Sequence, residues 1–376
     1  MNVLALDTEV TTWNKGNAFD SRNSAVCFSW ADNSGSRGAR LFREQGSLEF
    51  LREQIAWADL LVGFNFKFDY HWFRKEGIDL SNKLIRDTQT GYYIWKRQTV
   101  RWPSLEECAA EFNLGHKLDI IKTEYWDKGI NTDEIPWDVL QPYAIQDAVL
   151  TLELFFEIQK RLTPKQTTLW SLSGQDLHVL AEMEWNGLYY NKDLCETRAA
   201  ELGDQIDQIK AQLASVYPDV PINFNSGDDL SAFLYGGVVT QTVPEHIGFY
   251  KTGLKAGQPK FKNTVVEHRL PRLVTPLPGT ELKKEGFFAT NEPTLRKLRG
   301  ARKYIDLILT STKLDTLRSK YYVGLPKKAT EMHWEPEGIL HGSFHQISTA
   351  TGRLSSSDPN LQNQAGDIED IFITRF

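Results

Sequence analysis

The sequence predicts a mixed α/β fold over residues 1 to about 160, followed by a mainly helical part that carries an extended, β-rich insertion. Three observations predict this class. In the first part, short apolar runs alternate with stretches of helical apolar spacing. Residues 165 to about 235 and 292–322 have helical patterns. Residues 236–290 are instead rich in Gly, Pro, Lys and β-formers, which favours an extended hairpin.

The elements of the first part follow in chain order. VLALD and SAVCFSWA are predicted strands, and the stretch from SLEF to AWA is a predicted helix. ADLLVGFN is a buried strand that leads into a helix starting near Asn65. SLEECAAEF is a further helix, with Ser104 as its N-cap ahead of Glu107. VLQPYAIQDAVLTLELFFEIQKRL is an apolar-striped helix that Thr163-Pro164 ends, and this break predicts the first domain boundary.

In the second part, turns and short strands interrupt the predicted helices at irregular intervals. A turn and a short strand at WNGLYYNKD interrupt the first helical pattern. The segment EPTLRKLRGARKYIDLILTSTKLDTLRSKYY predicts one long basic helix, and EPEGILHGSFHQ predicts a short strand pair. The apolar pattern of IEDIFITRF predicts a last β-strand with an open edge.

A strong charge asymmetry divides the chain. The formal net charge is −6, yet residues 251–320 contain 16 Lys and Arg against 6 Asp and Glu. An acidic front and a basic back suit a protein that holds metal ions at one end and a polyanion at the other. A solvated, charged helical surface is the alternative explanation of the basic stretch.

Two observations bear on the compartment. No apolar run approaches the roughly 20 residues that cross a bilayer, and MNVLALDTEV lacks the features of a signal peptide. The three cysteines, Cys27, Cys108 and Cys195, are scattered without zinc-site or redox spacing. We therefore expect a reducing, cytoplasmic setting and no membrane partner.

Two acids stand on the first predicted strand. Asp7 and Glu9 in LALDTEV are two residues apart, so both side chains leave the same face of the strand. Such a pair alone is compatible with surface decoration. Their apolar flanks favour a site instead, because buried carboxylates are costly unless they are paired or bind a metal.

Two helical pairs extend this pattern. Asn65 and Asp69 in GFNFKFD are one turn apart on a predicted helix, and Tyr143 and Asp147 in YAIQD are spaced in the same way. Either pair alone is compatible with a capping or surface role. Together with the strand acids, they predict a constellation of one strand and two helices, each contributing an acid amid apolar residues.

Converging acids suit divalent cations. Mg²⁺ prefers oxygen ligands and binds well where carboxylates and substrate phosphate share it. A two-metal site activates a water on one ion and stabilises the leaving 3′ oxygen on the other, so phosphodiester hydrolysis needs no protein nucleophile. Asp7, Glu9, Asp69 and Asp147 are the predicted ligands. Tyr143, protonated at neutral pH, is predicted to orient the attacking water by hydrogen bonding.

The motifs DTE, NFKFD and YAIQD, in this order and spacing, resemble the three exonuclease motifs of the DEDD superfamily, in its tyrosine-type branch. The stretch SLEECAAEFNLGHKLDIIKTEYWDKG resembles the proofreading domain of family A DNA polymerases, especially phage ones. The resemblance implies a ribonuclease H-like 3′-5′ exonuclease domain over residues 1–163. It also implies two Mg²⁺ ions with Mn²⁺ as a substitute, single-stranded 3′ ends as substrate and a phage-infected bacterial host.

Most of the remaining chain resembles the thumb of the same polymerases. The segments AEMEWNGLYYNKD, NFNSGDDLSAFLYG and TLRSKYYVGLP resemble thumb elements, and TATGRLSSSDPNLQN resembles the thumb-to-palm junction. The resemblance implies a thumb over residues 164–335, with the insertion at 236–290, and a junction with the start of the palm at 336–376. The expected DNA primer-template would be contacted by Asn65, Arg318, Ser319, Lys320, Tyr321, Arg353, Asn360, Gln362 and Asn363.

The types of these side chains agree with DNA contact. Arg318, Ser319, Lys320 and Tyr321 are donors for phosphate oxygens, which fix register without reading sequence. Arginine and amide side chains such as those at residues 353, 360, 362 and 363 suit the acceptors of the minor groove, whose pattern is nearly the same for all base pairs.

The palm aspartates and the fingers helix of such polymerases are not found in this sequence. We therefore expect nuclease activity without polymerisation, with palm and fingers on a second polypeptide, although a piece of a longer chain would have the same sequence. A processivity factor is a candidate partner for residues 236–290. Two alternatives stay open: a free-standing nuclease resembling the ribonuclease D group, and a non-catalytic DNA-binding subunit.

Overall fold

The computed structural model of the chain describes residues 1–115, 120–334, 338–364 and 366–373. Parts of three predicted segments, residues 116–119, 335–337 and 374–376, lie outside the described residues. The strands are β1 (Val3–Val10), β2 (Ala25–Asp32), β3 (Arg37–Leu41), β4 (Leu60–Gly63), β5 (Leu84–Asp87), β6 (Leu188–Tyr189), β7 (Gly237–Phe249), β8 (Pro259–Leu270), β9 (Ile339–Leu340), β10 (Ser343–His345) and β11 (Ser355–Ser357).

Helices make up most of the remaining regular structure. They are α1 (Ser47–Trp57), α2 (Phe66–Lys75), α3 (Thr88–Trp95), α4 (Leu105–Phe112), α5 (Ile120–Glu124), α6 (Trp137–Arg161), α7 (Pro164–Asn186), α8 (Lys192–Ala214), α9 (Gly227–Tyr235), α10 (Glu292–Lys297), α11 (Arg302–Thr316) and α12 (Gly324–Glu331). A π-helical turn follows α11 at Leu317–Tyr322. The predicted strands and helices of the first part are confirmed, including the capping box between Ser104 and Glu107 that begins α4.

Contacts divide the chain into two compact units. Unit 1 comprises Met1–Lys192 and Leu325–Phe376, and unit 2 comprises Asp193–Gly324. Unit 1 extends past residue 163 because α7 buries Trp170 and Leu177 in the same apolar clusters as the sheet. The functional division at residues 163 and 335 stays a prediction.

A five-stranded sheet with the order β3-β2-β1-β4-β5 organises unit 1. Strands β1, β2 and β3 are antiparallel neighbours, whereas β4 and β5 run parallel to β1. Alternation along β1 sends Leu4 and Leu6 into a cluster with α1 and α2. Val3 and Ala5 enter the opposite cluster, with α6. Helices therefore cover both faces of the strand that carries the first predicted acids.

Unit 2 is mainly helical, as predicted for this part of the chain. Its core joins Leu213 of α8, Phe233 of α9, Leu295 of α10 and Ile305 of α11. The predicted hairpin is confirmed as β7 and β8, and in the described stretch 271–290 a single bridge joins Glu281 to Phe288.

The prediction of one helix over residues 292–322 is wrong. Helix α10 ends at Lys297, and α11 begins only at Arg302. Between them, Gly300 and Ala301 have φ values of 129° and 47°, which lie outside the right-handed helical region. The reversal allows both short helices to bury leucine and isoleucine side chains in one cluster.

Two further strand predictions need correction. Strands β9 and β10 pair with β6 and β11 rather than with each other, because His341 between them is buried, with Nδ1 2.8 Å from the Glu184 carbonyl oxygen. In the described part of IEDIFITRF, residues 368–371 belong to a 3-10 helix, Gly366–Ile371, instead of a strand, and only Phe372 makes a β-bridge, antiparallel to Tyr190. Ile368 and Ile371 are both buried, and their three-residue spacing matches one 3-10 turn.

Candidate active site

The candidate site forms where β4 leaves the sheet. Strand β1 pairs with β2 along residues 4–10, but its parallel pairing with β4 covers residues 3–5. β4 ends at Gly63, where a Cβ atom would lie 2.0 Å from the Phe66 ring, so the tight turn into α2 requires glycine. The second half of β1 therefore borders helix α2 on this side instead of another strand.

Three predicted acids converge beside this half of β1. Asp7 and Glu9 leave the strand on the face that α6 covers, and Asp147 comes from α6. One carboxylate oxygen of each lies within 4.8 Å of the other two. Three carboxylates at this separation repel one another, and a divalent cation relieves that repulsion. Carboxylate oxygens are the donors that Mg²⁺ and Mn²⁺ prefer, so this set fits such an ion.

The fourth predicted acid, Asp69, reaches the site from the other face of the sheet. Its Oδ1 atom accepts hydrogen bonds from the Thr8 backbone N–H (2.9 Å) and the Thr8 hydroxyl (2.6 Å). Thr8 points away from Asp7 and Glu9 because successive side chains alternate along β1. Asp69 thus occupies the β1 edge that β4 has left, and it lines the same cavity as the other three acids.

Burial sets the ionisation of Asp69. Its side chain is 2 % exposed, and burial raises the pKa of its carboxyl to about 7, while the two bonds from Thr8 act in the opposite direction. A cation in the cavity would favour the ionised form. Charge on Asp69 is therefore coupled to Thr8 and to whatever the cavity binds.

A buried carboxylate at the end of β5 fixes the start of α2. Asp87 caps α3 by accepting from the Gln89 and Thr90 N–H groups, and it also accepts from the Asn65 and Phe66 N–H groups at 3.3 and 3.0 Å. The Asn65 and Phe66 donors fix the start of α2, and Asp69 follows Asn65 by one turn. Asp87 acts as a positioning residue.

Tyr143 lies on α6 one turn before Asp147, and both line the cavity as the spacing predicted. Burial and the neighbouring acids raise the pKa of the Tyr143 hydroxyl far above its usual value, so the phenol stays protonated. Trp126 contacts its ring edge-on, with centroids 6.1 Å apart. Burial, with the charge of Glu9, likewise raises the pKa of the Cys27 thiol, which disfavours the thiolate form that nucleophiles and soft metal ligands require.

These residues surround a cavity of about 380 Å³. Its lining combines the acids with a largely apolar wall that includes Phe64, Phe68 and Trp126. Among the described lining residues, Lys15 is the one cation, and it belongs to the segment 10–16, which contributes several lining residues. Such a chamber can hold a nucleotide beside metal-bound phosphate oxygens.

Asn65 lies at the predicted start of α2, and its DNA contact stays a prediction. It precedes α2 as a left-handed N-cap with φ 55°, and it lines a second cavity of about 470 Å³. The two cavities share Lys15 and Phe68, so they adjoin. The carboxylate of Glu184 in the second cavity is bound by Lys67 and by His71, whose Nε2 lies 2.7 Å away.

The predicted DNA-binding residues of unit 2 lie on the π-helical turn. Arg318 donates through Nε to the Ala199 carbonyl oxygen at 2.9 Å, and the Ser319 hydroxyl donates to the Asp315 carbonyl oxygen at 2.6 Å. Lys320 is exposed, whereas Tyr321 is 5 % exposed and packs inside the unit. Among these four, Lys320 has the side chain best placed for a phosphate.

The predicted residues of the junction are exposed on unit 1. They lie between residues 353 and 363, and their side chains are solvent-accessible: Arg353, Asn360, Gln362 and Asn363. Asn360 Oδ1 accepts from the Gln362 and Asn363 backbone N–H groups at 3.0 and 3.2 Å, which forms an Asx-type turn. These bonds fix the backbone of residues 360–363.

Sequence reasoning missed Thr8 and Asp87. Thr8 could have been found from its position between two acids, because its side chain must point to the opposite face of the strand. Asp87 carries an N-cap signal ahead of the helix that starts at Thr88. Nothing in the local sequence indicates that the same carboxylate also accepts hydrogen bonds from the backbone N–H groups at the start of α2.

Two family models match this chain. Residues 1–163 match the model described as 3′-5′ exonuclease, and residues 268–371 match the model described as DNA polymerase family A. The first match contains the carboxylate cavity. The second contains the π-helical turn and the junction.

Curated relatives include bacterial DNA polymerases I. The thermostable enzyme of Thermus filiformis is 32% identical over 221 residues, which cover 58% of this chain and 22% of the relative. The enzyme of Treponema pallidum is 27% identical over 306 residues, covering 81% and 26%. That of Chloroflexus aurantiacus is 28% identical over 306 residues, covering 80% and 28%. The chain thus spans about a quarter of the length of these relatives.

A solved structure has a similar fold. It is the POL domain of Pol1 from M. smegmatis in complex with DNA primer-template and dNTP, with a TM-score of 0.65 and 19% identity. The similarity covers 99% of this chain and 55% of that one. Within the described ranges, no helix is both long enough and apolar enough to span a bilayer.

Proposed function

Because the chain carries the 3′-5′ exonuclease domain and part of the polymerase domain of family A DNA polymerases, we propose that it removes nucleotides from DNA 3′ ends. The observation that carries this proposal is the convergence of Asp7, Glu9 and Asp147 within 4.8 Å, inside the part that matches an exonuclease. The polymerase match beyond residue 268 argues against the free-standing nuclease.

The proposed cofactors are two Mg²⁺ ions, with Mn²⁺ as a substitute. When bound, they supply an activated water and stabilise the leaving 3′ oxygen. Asp7, Glu9 and Asp147 would hold them, and Asp69 would contribute from the opposite wall. The apolar side chains of the cavity exclude bulk water, which strengthens the interaction of these carboxylates with any cation.

Tyr143 is proposed to orient the attacking water. Its protonated phenol can donate one hydrogen bond and accept another. Helix α6 holds the phenol and Asp147 one turn apart, so a water near the carboxylates lies within reach of both. This assigns Tyr143 to positioning rather than to proton abstraction.

The second cavity is proposed to hold the strand behind the terminal nucleotide. It adjoins the carboxylate cavity through Lys15 and Phe68, and Asn65 lines it as well. The exposed ring of Trp102 offers a surface for a base. Lys328 provides positive charge there, although Asp358 pairs with it at 3.1 Å.

Duplex DNA is the proposed ligand of the polymerase-like part. Lys320 of the π-helical turn and the exposed side chains of Arg353, Asn360, Gln362 and Asn363 are suited to backbone and minor-groove acceptors. Arg318, Ser319 and Tyr321 are proposed to shape the turn, given their contacts and burial. Binding should weaken with salt through counterion release.

Residues 1–163 are further proposed to belong to a specific nuclease class. The mixed sheet and the pairing of Tyr143 with Asp147 support the ribonuclease H-like, tyrosine-type DEDD class. A phage source, a second polypeptide with palm and fingers, a processivity factor and a cytoplasmic location stay predictions. The relatives named above are bacterial.

The test uses a labelled primer-template with Mg²⁺, with and without nucleotides. We expect the primer to shorten from its 3′ end and not to be extended. The variant Asp7→Ala with Glu9→Ala is the negative control for contaminating nucleases. An intact primer after incubation with a chain that still binds DNA would refute the proposal and favour the non-catalytic DNA-binding subunit.

A further inference from the structure

The β7–β8 hairpin has a buried root and an exposed outer half. At the root, Val239 and Leu270 are buried in a small cluster with Ala232. Beyond the root, most side chains of the two strands are exposed. Apolar contacts therefore anchor the hairpin at one end, and the ladder of backbone hydrogen bonds holds the rest.

Aromatic rings gather on one face of the outer half. His246 pairs with Phe261 across the ladder, and a bulge at Ile247 returns Phe249 to the same face. The His246 ring lies 5.1 Å from that of Phe249 and 5.5 Å from that of Phe261. Phe249 and Phe261 are 60% and 55% exposed. Exposed rings at adjacent positions form an apolar surface, and such surfaces indicate interaction sites.

The same segment is strongly basic. Residues 246–262, defined here as the hairpin tip, contain Lys251, Lys255, Lys260 and Lys262 and no Asp or Glu. The ammonium groups of Lys255 and Lys260 lie 5.9 and 5.8 Å from the centroid of the Tyr250 ring. Positive charge thus gathers around Tyr250, the residue after Phe249, and Glu245, just before the tip, stands opposite Lys262 across the ladder.

We propose that the hairpin tip binds single-stranded nucleic acid, with unpaired bases stacked on Phe249 and Phe261 and phosphates held by the lysines. Every base has a π face, so exposed rings beside cations bind a single strand with little sequence preference. Duplex DNA is a poorer fit, because its bases are already stacked on one another. The positive charge of the four lysines favours a polyanion as the ligand.

The site extends beyond the proposed nuclease function and is tested separately from it. Binding of a fluorescent oligothymidylate to the full chain is followed by anisotropy in EDTA, where metal-dependent hydrolysis cannot occur. Phe249→Ala with Phe261→Ala should weaken binding about tenfold or more. Because both rings are exposed, the variant should fold as the wild type, which circular dichroism checks.

Conservative variants separate stacking from general apolar contact. Phe249→Trp with Phe261→Trp should retain binding, whereas Phe249→Leu with Phe261→Leu should lose as much as the alanine variant. Leu254→Ala, at a fully exposed apolar position in the same tip, should have no effect. All these variants should bind blunt duplex DNA as the wild type does.

The lysines are tested through salt dependence. Lys255→Ala with Lys260→Ala should reduce the slope of log K against log salt by about 1.4, or roughly 0.7 per phosphate contact on a single strand. Lys165→Ala, an exposed lysine of α7, is the matched control and should leave the slope unchanged. Unchanged oligothymidylate binding in the phenylalanine-to-alanine variant, or full binding by the leucine variant, would overturn the proposal and favour a protein partner.

Discussion

The carboxylate cavity and the hairpin tip have opposite charges in opposite surroundings. In the cavity, Glu9, Asp69 and Asp147 are buried, and packed helices fix their positions. At the tip, rings and lysines are exposed on a two-stranded ladder. Buried acids in a rigid frame suit chemistry, which requires fixed distances. Exposed rings and cations suit the capture of a flexible polyanion, which tolerates adjustment.

The two regions also differ in their contribution to the stability of the fold. Burying acids near one another costs stability, so the cavity is maintained by Thr8, Asp87 and the apolar layers around them. The exposed phenylalanines of the tip contribute little to folding, since they bury little area. Substitutions in the cavity should therefore affect hydrolysis and stability, whereas those at the tip should affect binding alone.

The largest effect is expected when the strand acids are removed. Asp7→Ala with Glu9→Ala deletes two of the three converged carboxylates and should abolish nucleotide release while duplex binding stays largely intact. The loss should exceed the roughly 10- to 100-fold typical of outer-shell partners of a metal site. Release is measured on a labelled primer, and binding by anisotropy. Equal loss of both activities would mean that the acids hold the fold instead.

The next effect tests the support of the fourth acid. Thr8→Val keeps the shape of the side chain but removes the 2.6 Å hydrogen bond from the hydroxyl to Asp69. We expect a fall of about 10- to 100-fold in the rate of nucleotide release. Thr8→Ser retains the hydroxyl and is the matched control, with a rate close to wild type. Normal activity of the valine variant would show that Asp69 needs no such positioning.

A smaller effect concerns metal and stability. Mg²⁺ at about ten times its dissociation constant should stabilise the folded chain by about 1.4 kcal/mol for each ion bound, if the ion binds the native cavity and not the unfolded chain. Thermal unfolding with and without Mg²⁺ measures this. Asp7→Ala with Glu9→Ala should show no such increase. An identical increase in that variant would place the ion elsewhere.

The smallest effect is a pH dependence near the second cavity. Burial lowers the pKa of His71 below 6.5, while its contact with Glu184 opposes this and the charges of Lys67 and Arg74 add to it. Below pH 6.5 the histidine of the unfolded chain is protonated, whereas buried His71 in the folded chain stays neutral to a lower pH. The free energy of unfolding therefore falls as the pH drops through 6.5. One such group contributes at most about 1.4 kcal/mol per pH unit. Unfolding midpoints between pH 7 and 5 should decline less steeply for His71→Gln, and an unchanged slope would exclude His71 as the cause.

Much of the cavity could be predicted from sequence because its geometry is local. The two-residue spacing of Asp7 and Glu9 and the four-residue spacing of Tyr143 and Asp147 each fix a shared face. The bond between Thr8 and Asp69 could not be predicted, since it depends on where β4 ends. Such contacts depend on the pairing of strands that are distant in sequence, and the local spacing of residues does not indicate it.

The second part was predicted less well for a related reason. The helical pattern of residues 292–322 is real on both sides of Gly300, but the positive φ of Gly300 and Ala301 follows from packing two helices into one core. Tyr321 was predicted as a DNA contact from its type, yet unit 2 buries it. Residue type indicates what a side chain can do, whereas the packing around it decides whether a ligand can reach it.

The most direct test of the separation between chemistry and capture is a crossed measurement on two double variants. The rate of 3′ nucleotide release at saturating DNA and the affinity for oligothymidylate are measured for Asp7→Ala with Glu9→Ala and for Phe249→Ala with Phe261→Ala. We predict that the first variant loses release and keeps affinity, while the second keeps release and loses affinity. Release that survives without Asp7 and Glu9 would contradict the assignment of the cavity as the site of hydrolysis.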